Sequence, residues 1–180
     1  MANESLEVHV RRLEIQDGRS AFRSGDIELD RFFQRYAGQN QFRHHIGTTY
    51  VAVIANQIVG FATVSTGEIT AENITSNLRK RLPAYPLPIL RIARLAVDER
   101  FQGQGLGKLL LQSMLELALT LRDQVGCVGV IVDAKTQAVE FYSRLGFLAL
   151  DEVVSGLLGD RPEPVAMFLP ISVIEKAKNE

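Results

Sequence analysis

The sequence predicts a mixed α/β domain whose central sheet is antiparallel at its N-terminal end and carries a parallel pair further on. Three observations predict it. Residues 6–13, "LEVHVRRL", alternate as a strand, and residues 48–65, "TTYVAVIANQIVGFATVS", read as two β-rich runs flanking the short polar interruption Asn56-Gln57, the pattern of a hairpin. The series "ILRIARLAV", "GLGKLLLQSMLELALTLRDQ", "CVGVIVDA" is strand, helix, strand, the order that a crossover between parallel neighbours produces. The tail "PVAMFLPISVI" looks like one more strand, which makes the sheet mixed.

The remaining elements follow in chain order. "SGDIELDRFFQRYAGQNQF" carries Ile27, Leu29, Phe32, Phe33 and Tyr36 at helical spacing, with Asp26 or Ser24 as its cap. "AENITSNLRKRLPAYPLP" offers a short helix around Ile74 to Leu82, ended by three prolines, and then a loop or partly extended approach to the next strand. Leu106, Leu109, Leu110, Met114, Leu117 and Leu121 give the long helix an apolar face. "TQAVEFYSRLGF" reads as a helix closed by Gly146.

A chain of 180 residues, 46% hydrophobic and 23% charged, is expected to form one globular domain over residues 1–180. Its apolar runs are too short to span a bilayer and "MANESLEVHVRR" has no signal-peptide core, so a cytoplasmic protein without membrane contact is expected. Cys127 is the only cysteine, which excludes a disulfide within the chain and a Cys-rich zinc site; in the run "GCVGVIV" it reads as a core residue. The net charge of −1 argues against a uniformly basic nucleic-acid binder while leaving room for a local basic patch. Adjacent His44 and His45 point apart on a helix or strand and have no evident third ligand, so no metal is expected.

The chemistry is concentrated in "RLAVDERFQGQGLGKLLL", residues 94–111, where glycines at 103, 105 and 107 stand between a strand and a helix. Glycine lets backbone N–H groups approach an anion closely, and the first turn of a helix adds unpaired donors and the positive end of a dipole. A phosphate or pyrophosphate is well served there, with Lys108 adding charge at the rim. A P-loop is disfavoured because Lys108 is followed by Leu109 and the glycine spacing fails. A dinucleotide fingerprint is disfavoured because the third glycine comes one residue early. A plain strand-to-helix turn remains the bland alternative.

"QGQGLG", Gln102 to Gly107, resembles the Gln/Arg-x-x-Gly-x-Gly/Ala signature of the GNAT (GCN5-related) N-acetyltransferases, and "RLAVDERF" and "GKLLLQSML" resemble the strand and helix around it. With "FRSGDIELDRFFQRYAGQNQ", "VDAKTQAVEFYSRLGF" and "MFLPI", the resemblance covers about residues 8–171 and is nearest to the GNAT toxins of bacterial toxin–antitoxin pairs. It implies the GNAT fold, with helices on both faces of the sheet and a parallel pair that splays to leave a slot. It implies acetyl-CoA as cosubstrate, with the pantetheine arm on the main chain of Leu95, Ala96 and Val97 and the pyrophosphate on Gln102, Gly103, Gln104, Gly105, Leu106, Gly107 and Lys108. It implies an acyltransferase acting by direct attack of a neutral amine on the thioester, without a covalent enzyme intermediate.

In such a family the tyrosine of "EFYSRLGF", Tyr142 here, donates a proton to the thiolate that leaves the tetrahedral oxyanion. A phenol of reference pKa about 10 is a credible donor to a thiolate of about 8.5. The bland alternative is that Phe141 and Tyr142 both pack on the sheet. Many GNAT enzymes place a Glu on the strand before the signature, but "ILRIARLAV" offers Arg91 and Arg94 and no carboxylate before Asp98. A lysine acceptor, about one part in 2,500 neutral at pH 7, needs a base, whereas an α-amine is already roughly one tenth neutral. The missing base favours an α-amine, as on the aminoacyl-tRNA that the resembling toxins acetylate; Asp98 or Glu99 acting through water is the alternative. Arg91, Arg94, Arg79, Lys80 and Arg81 are the candidates for a phosphate-binding rim toward tRNA, against the bland reading of a solvated face. The resemblance also implies a ribbon-helix-helix antitoxin and a homodimer. The alternatives are acetylation of a small amine or a peptide N-terminus and, from another class, a non-catalytic acyl-CoA sensor.

Overall fold

The computed structural model describes residues 7–74, 79–150 and 164–180. Its strands are β1 (His9–Arg12), β2 (Thr48–Ile54), β3 (Gln57–Ile69), β4 (Leu87–Val97), β5 (Gly129–Ala134), β6 (Leu148–Ala149) and β7 (Val165–Pro170). They form one mixed sheet in the order β1-β2-β3-β4-β5-β7-β6. Its helices are α1 (Ile27–Arg31), α2 (Leu106–Gln124), α3 (Val139–Arg144) and α4 (Ile171–Asn179). The chain divides into two compact units, residues 1–65 with 93–114 and residues 66–92 with 115–180, so β3, β4 and α2 each contribute to both.

In the first unit β1, β2 and β3 are antiparallel neighbours, as the alternation predicts. The hairpin turn is Ala55-Asn56 rather than Asn56-Gln57: Ile54 pairs with Gln57, and both turn residues have positive φ, 47° and 63°. That is the two-residue turn whose twist matches antiparallel strands. A bulge follows on β3, where Ala52 faces Gly60 and Val53 faces Ile58, leaving Val59 as the extra residue. The carbonyl of Val59 accepts from the N–H of Asp98 at 2.8 Å. A Cβ on Gly60 would lie 2.9 Å from Leu110 Cδ1 and 3.1 Å from the carbonyl of Ala96, so only glycine permits this approach to β4 and α2.

The core of this unit is aromatic. Phe33 stacks on Phe61 at 4.4 Å between ring centroids, and Phe22 meets both edge-on. Asp26 caps α1 by accepting from Glu28 and Leu29 N–H, while Asp30, buried, accepts from the N–H and hydroxyl of Ser24. After one turn the helix widens into π turns over Phe32–Tyr36 and Gln39–His44. The expected face is only partly realised: Phe32 and Phe33 are buried, but Ile27, at the start of α1, and Tyr36, at the end of the first π turn, are exposed.

In the second unit β4 and β5 run parallel through Leu90↔Val130, Arg91↔Ile131 and Ile92↔Val132. β7 is antiparallel to β5 over its whole length, and the short β6, absent from the sequence expectation, pairs with β7. Ile69, Ile74, Leu87, Ile89, Ile131 and Phe168 form the core. The tail departs from expectation after Pro170: the ring removes an N–H from the ladder, and "ISVIEKAKN" turns into α4, burying Ile174. The short helix expected around Ile74 to Leu82 falls partly outside the described residues; of those described, Arg79 is helical, and Ala71–Asn73, just before the expected span, is a 3-10 turn. Cys127 is buried and its thiol donates to the carbonyl of Gly129 at 3.3 Å. No helix among the described residues is long and apolar enough to cross a membrane.

Candidate functional site

β4 leads into the glycine turn through a rigid corner. Asp98 is fully buried; its carboxylate accepts from the backbone N–H groups of Arg23 and Arg100 and from the Arg100 guanidinium at 2.9 and 3.1 Å. The Arg100 side chain, with those backbone donors, holds the Asp98 pKa below the usual carboxylate range. A carboxylate so committed is a poor proton acceptor, which counts against Asp98 as a base through water. The Gln102 side chain then donates to the carbonyls of Val97 at 2.9 Å and Ser24 at 2.8 Å, tying the start of the turn to the end of β4.

Gly103 and Gly105 have φ of 77° and 82°, and a Cβ added at either would meet nothing within 4 Å. Their conformation requires glycine although space does not, and the surface beside them is open. The first intrahelical bond of α2 runs from Leu109 N–H to the Gly105 carbonyl at 3.0 Å. The N–H groups of Leu106, Gly107 and Lys108 precede that bond and form the donor end of the helix. No acidic residue lies in this first turn, and Lys108 is exposed. Open glycines beside a helix N-terminus without acidic residues present amide donors of the kind a pyrophosphate needs.

The residues of β4 alternate in role. A Cβ on Gly107 would lie 3.8 Å from Val97 Cγ2 and 3.9 Å from Leu95 Cδ2, so these side chains face the start of α2. Ala96 points the other way, into the phenylalanine core. Arg94 lies on that second side, its guanidinium carbon 3.8 Å from the centroid of the Phe32 ring, a cation–π contact.

The other expected site residues lie in the second unit. Tyr142 is the one buried tyrosine of the four, at 7% exposure, edge-on to Phe141 at 5.1 Å and Phe147 at 5.4 Å. Burial pushes its hydroxyl up to about 12. Its carbonyl accepts from the N–H groups of Leu145 and Phe147, which closes α3 at Gly146. Phe141, by contrast, is 38% exposed rather than packed away. Arg79, Lys80 and Arg81 are all exposed. Arg91 is engaged: its Nε and Nη2 donate to the two carboxylate oxygens of Asp133 at 2.8 and 2.9 Å. Asp133 went unnoticed in the sequence, although a lone charge in the apolar run "VIVDA" was the available signal. Gln39 Nε2 meets His44 Nε2 at 3.1 Å, and no group of three or more His, Cys, Asp or Glu poised for a metal occurs among the described residues.

Comparison with known proteins gives this geometry a context. A tRNA-acetylating toxin of Mycobacterium tuberculosis is 28% identical over 138 residues, covering 76% of this chain and 82% of that protein. A probable toxin TacT of Sinorhizobium fredii is 26% identical over 167 residues, covering 87% and 86%. The structure of AtaT complexed with acetyl-methionyl-tRNAfMet superposes with a TM-score of 0.82 at 24% identity, covering 96% of this chain and 99% of that one. The acetyltransferase (GNAT) domain model matches residues 45–148, more than half of the sequence and a span that includes both the glycine turn and Tyr142. The chain therefore belongs to the GNAT acetyltransferase family and is an acyltransferase.

Proposed function

We propose that this enzyme transfers the acetyl group of acetyl-CoA to the α-amine of aminoacyl-tRNA, acting as the toxin of a toxin–antitoxin pair. The observation that carries the reading is made on the described residues of β4 and its exit: the strand supplies Arg91 and Arg94 and no carboxylate, and Asp98, which follows it, is buried and committed to Arg100. Such a site suits an amine that is already substantially neutral at pH 7, and the α-amine, near 7.7–8.0, is one while lysine is not. The relatives support the acceptor: one is a tRNA-acetylating toxin, and AtaT is known with acetyl-methionyl-tRNAfMet.

The thioester supplies an acetyl group activated toward an amine. The main-chain groups of Leu95, Ala96 and Val97 bind the pantetheine arm, and the amides of Gln102 to Lys108, with Lys108 at the rim, bind the pyrophosphate. Tyr142, at about 12, keeps its proton through the physiological range and offers it to the leaving sulfur. Outright transfer from such a phenol to a thiolate near 8.5 is uphill by about 5 kcal/mol. Tyr142 therefore works as a relay, regaining a proton from the acylated amine as it gives one up. Arg94, Arg79, Lys80 and Arg81 are the cations offered to tRNA phosphates.

AtaT is also known bound to the C-terminus of the antitoxin AtaR with acetyl-CoA, and by that likeness we assign this chain an antitoxin; its ribbon-helix-helix type and a homodimeric enzyme are proposed from the resemblance in sequence alone. The test is incubation with labelled acetyl-CoA and charged tRNA. N-acetylaminoacyl-tRNA is expected; dense acetylation of bulk lysine with charged tRNA untouched overturns the reading.

A further inference from the structure

We propose that Arg91 and Asp133 are a positioning pair: their fork pins the last rung between β4 and β5 and so sets which residues of β4 offer main-chain groups to the pantetheine arm. The inference rests on the acetyl-CoA reading above and concerns two residues to which that reading gives no such role. The parallel rungs among the described residues are Leu90↔Val130, Arg91↔Ile131 and Ile92↔Val132. Asp133 stands one residue past the last of them on β5, where it pairs with Ala166 of β7. Paired residues share a face and so do residues two apart on a strand, so Asp133 lies on the face of Ile131 and Arg91. The fork thus reaches diagonally across the final rung. The rest of the strand, which ends in Leu95, Ala96 and Val97, follows from that point.

The chemistry of the pair suits orientation more than stability. Its side chains are 41% and 25% exposed, so water screens the attraction and little folding energy depends on it. A two-bond guanidinium–carboxylate fork is nevertheless strict in direction, since both N–H groups must lie in the carboxylate plane. It holds strand β4 to one register against β5 at the cost of two of Arg91's donor nitrogens. Arg91 is thereby a support of the coenzyme strand in place of a contact to the acceptor.

The experiment is calorimetric titration of the full chain with acetyl-CoA alone, so no acceptor need be known, followed by steady-state kinetics with charged tRNA. Asp133→Asn and Arg91→Lys, which keeps the charge but cannot make the fork, are each expected to weaken acetyl-CoA binding on the order of tenfold. The KM for acetyl-CoA rises in step, kcat at saturation holds, and the melting temperature barely moves. The exchanged pair, Arg91→Asp with Asp133→Arg, regains most of the affinity. Unchanged binding by Arg91→Lys and Asp133→Asn overturns the pair. So does an effect of Arg91→Lys on the acceptor KM that Asp133→Asn does not share, because Arg91 is then a direct acceptor contact. Should Asp133→Asn unfold, Arg91→Lys decides. Wild-type protein that takes up no acetyl-CoA overturns the acetyl-CoA reading itself, and the pair with it.

Discussion

The glycine turn and the surroundings of Tyr142 both belong to the proposed chemistry but are built from opposite materials. From Gln102 to Lys108 the work falls to the backbone: two glycines at positive φ, a row of helix-start amides and a side chain, Gln102, that donates to two main-chain carbonyls. Around Tyr142 it falls to a side chain whose properties come from its neighbours, two aromatic rings and a buried setting that raises its pKa to about 12. A backbone site tolerates changes in side-chain charge but not in φ. A side-chain site has the reverse sensitivities.

Substitutions can break that contrast or sharpen it. Tyr142→Phe removes only the hydroxyl and should lower kcat by roughly 10²–10⁴-fold while acetyl-CoA affinity, measured by calorimetry, holds. An unchanged kcat would leave Tyr142 as packing. The pH profile tests the same group. Its acid form is the active one and is lost only as pH rises through about 12, so turnover should climb as the acceptor amine deprotonates, level off about one unit above the amine's pKa, near 9, and show no fall around 10. Gly105→Val forces a branched side chain to φ 82° and should weaken acetyl-CoA binding by about ten- to a hundredfold, with kcat at saturation spared. Asp98→Asn disturbs the corner that precedes the turn. It should cost about 2 kcal/mol in urea unfolding and leave the pH profile in place, since Asp98 carries no proton in the reaction. Lys108→Ala, on the exposed rim, should change acetyl-CoA affinity by no more than about threefold at physiological salt.

The same contrast explains what the sequence made legible. Backbone function leaves a mark in composition, because few residues other than glycine accept positive φ, and the strand, glycines and helix of residues 89–124 all appear where the pattern put them. Tyr142 was legible only through its family motif; nothing in the residue itself announces burial. The partners were not legible at all. Asp133 is 42 positions from Arg91, and local periodicity carries no information across such a gap, so Arg91 read as an available cation. Asp98 looked like a candidate base because its neighbour at 100 and the amide at 23 meet it only in the fold. The π turns of the first helix escaped for a related reason: Ile27, Phe32 and Tyr36 fit α spacing, and the phenylalanine packing around Phe61 draws the helix away from it.

The solitary cysteine gives this protein a clock. Cys127 lies in the second unit at 5% exposure with its sulfur hydrogen-bonded to Gly129, and the first unit contains no thiol. A thiol reagent therefore reacts only as fast as the strand at 127–129 opens, and in native buffer its rate times the breathing of one unit while the other stays silent. Adding acetyl-CoA and timing that reaction again would show whether ligand binding is felt at Cys127, with no label introduced and no residue replaced.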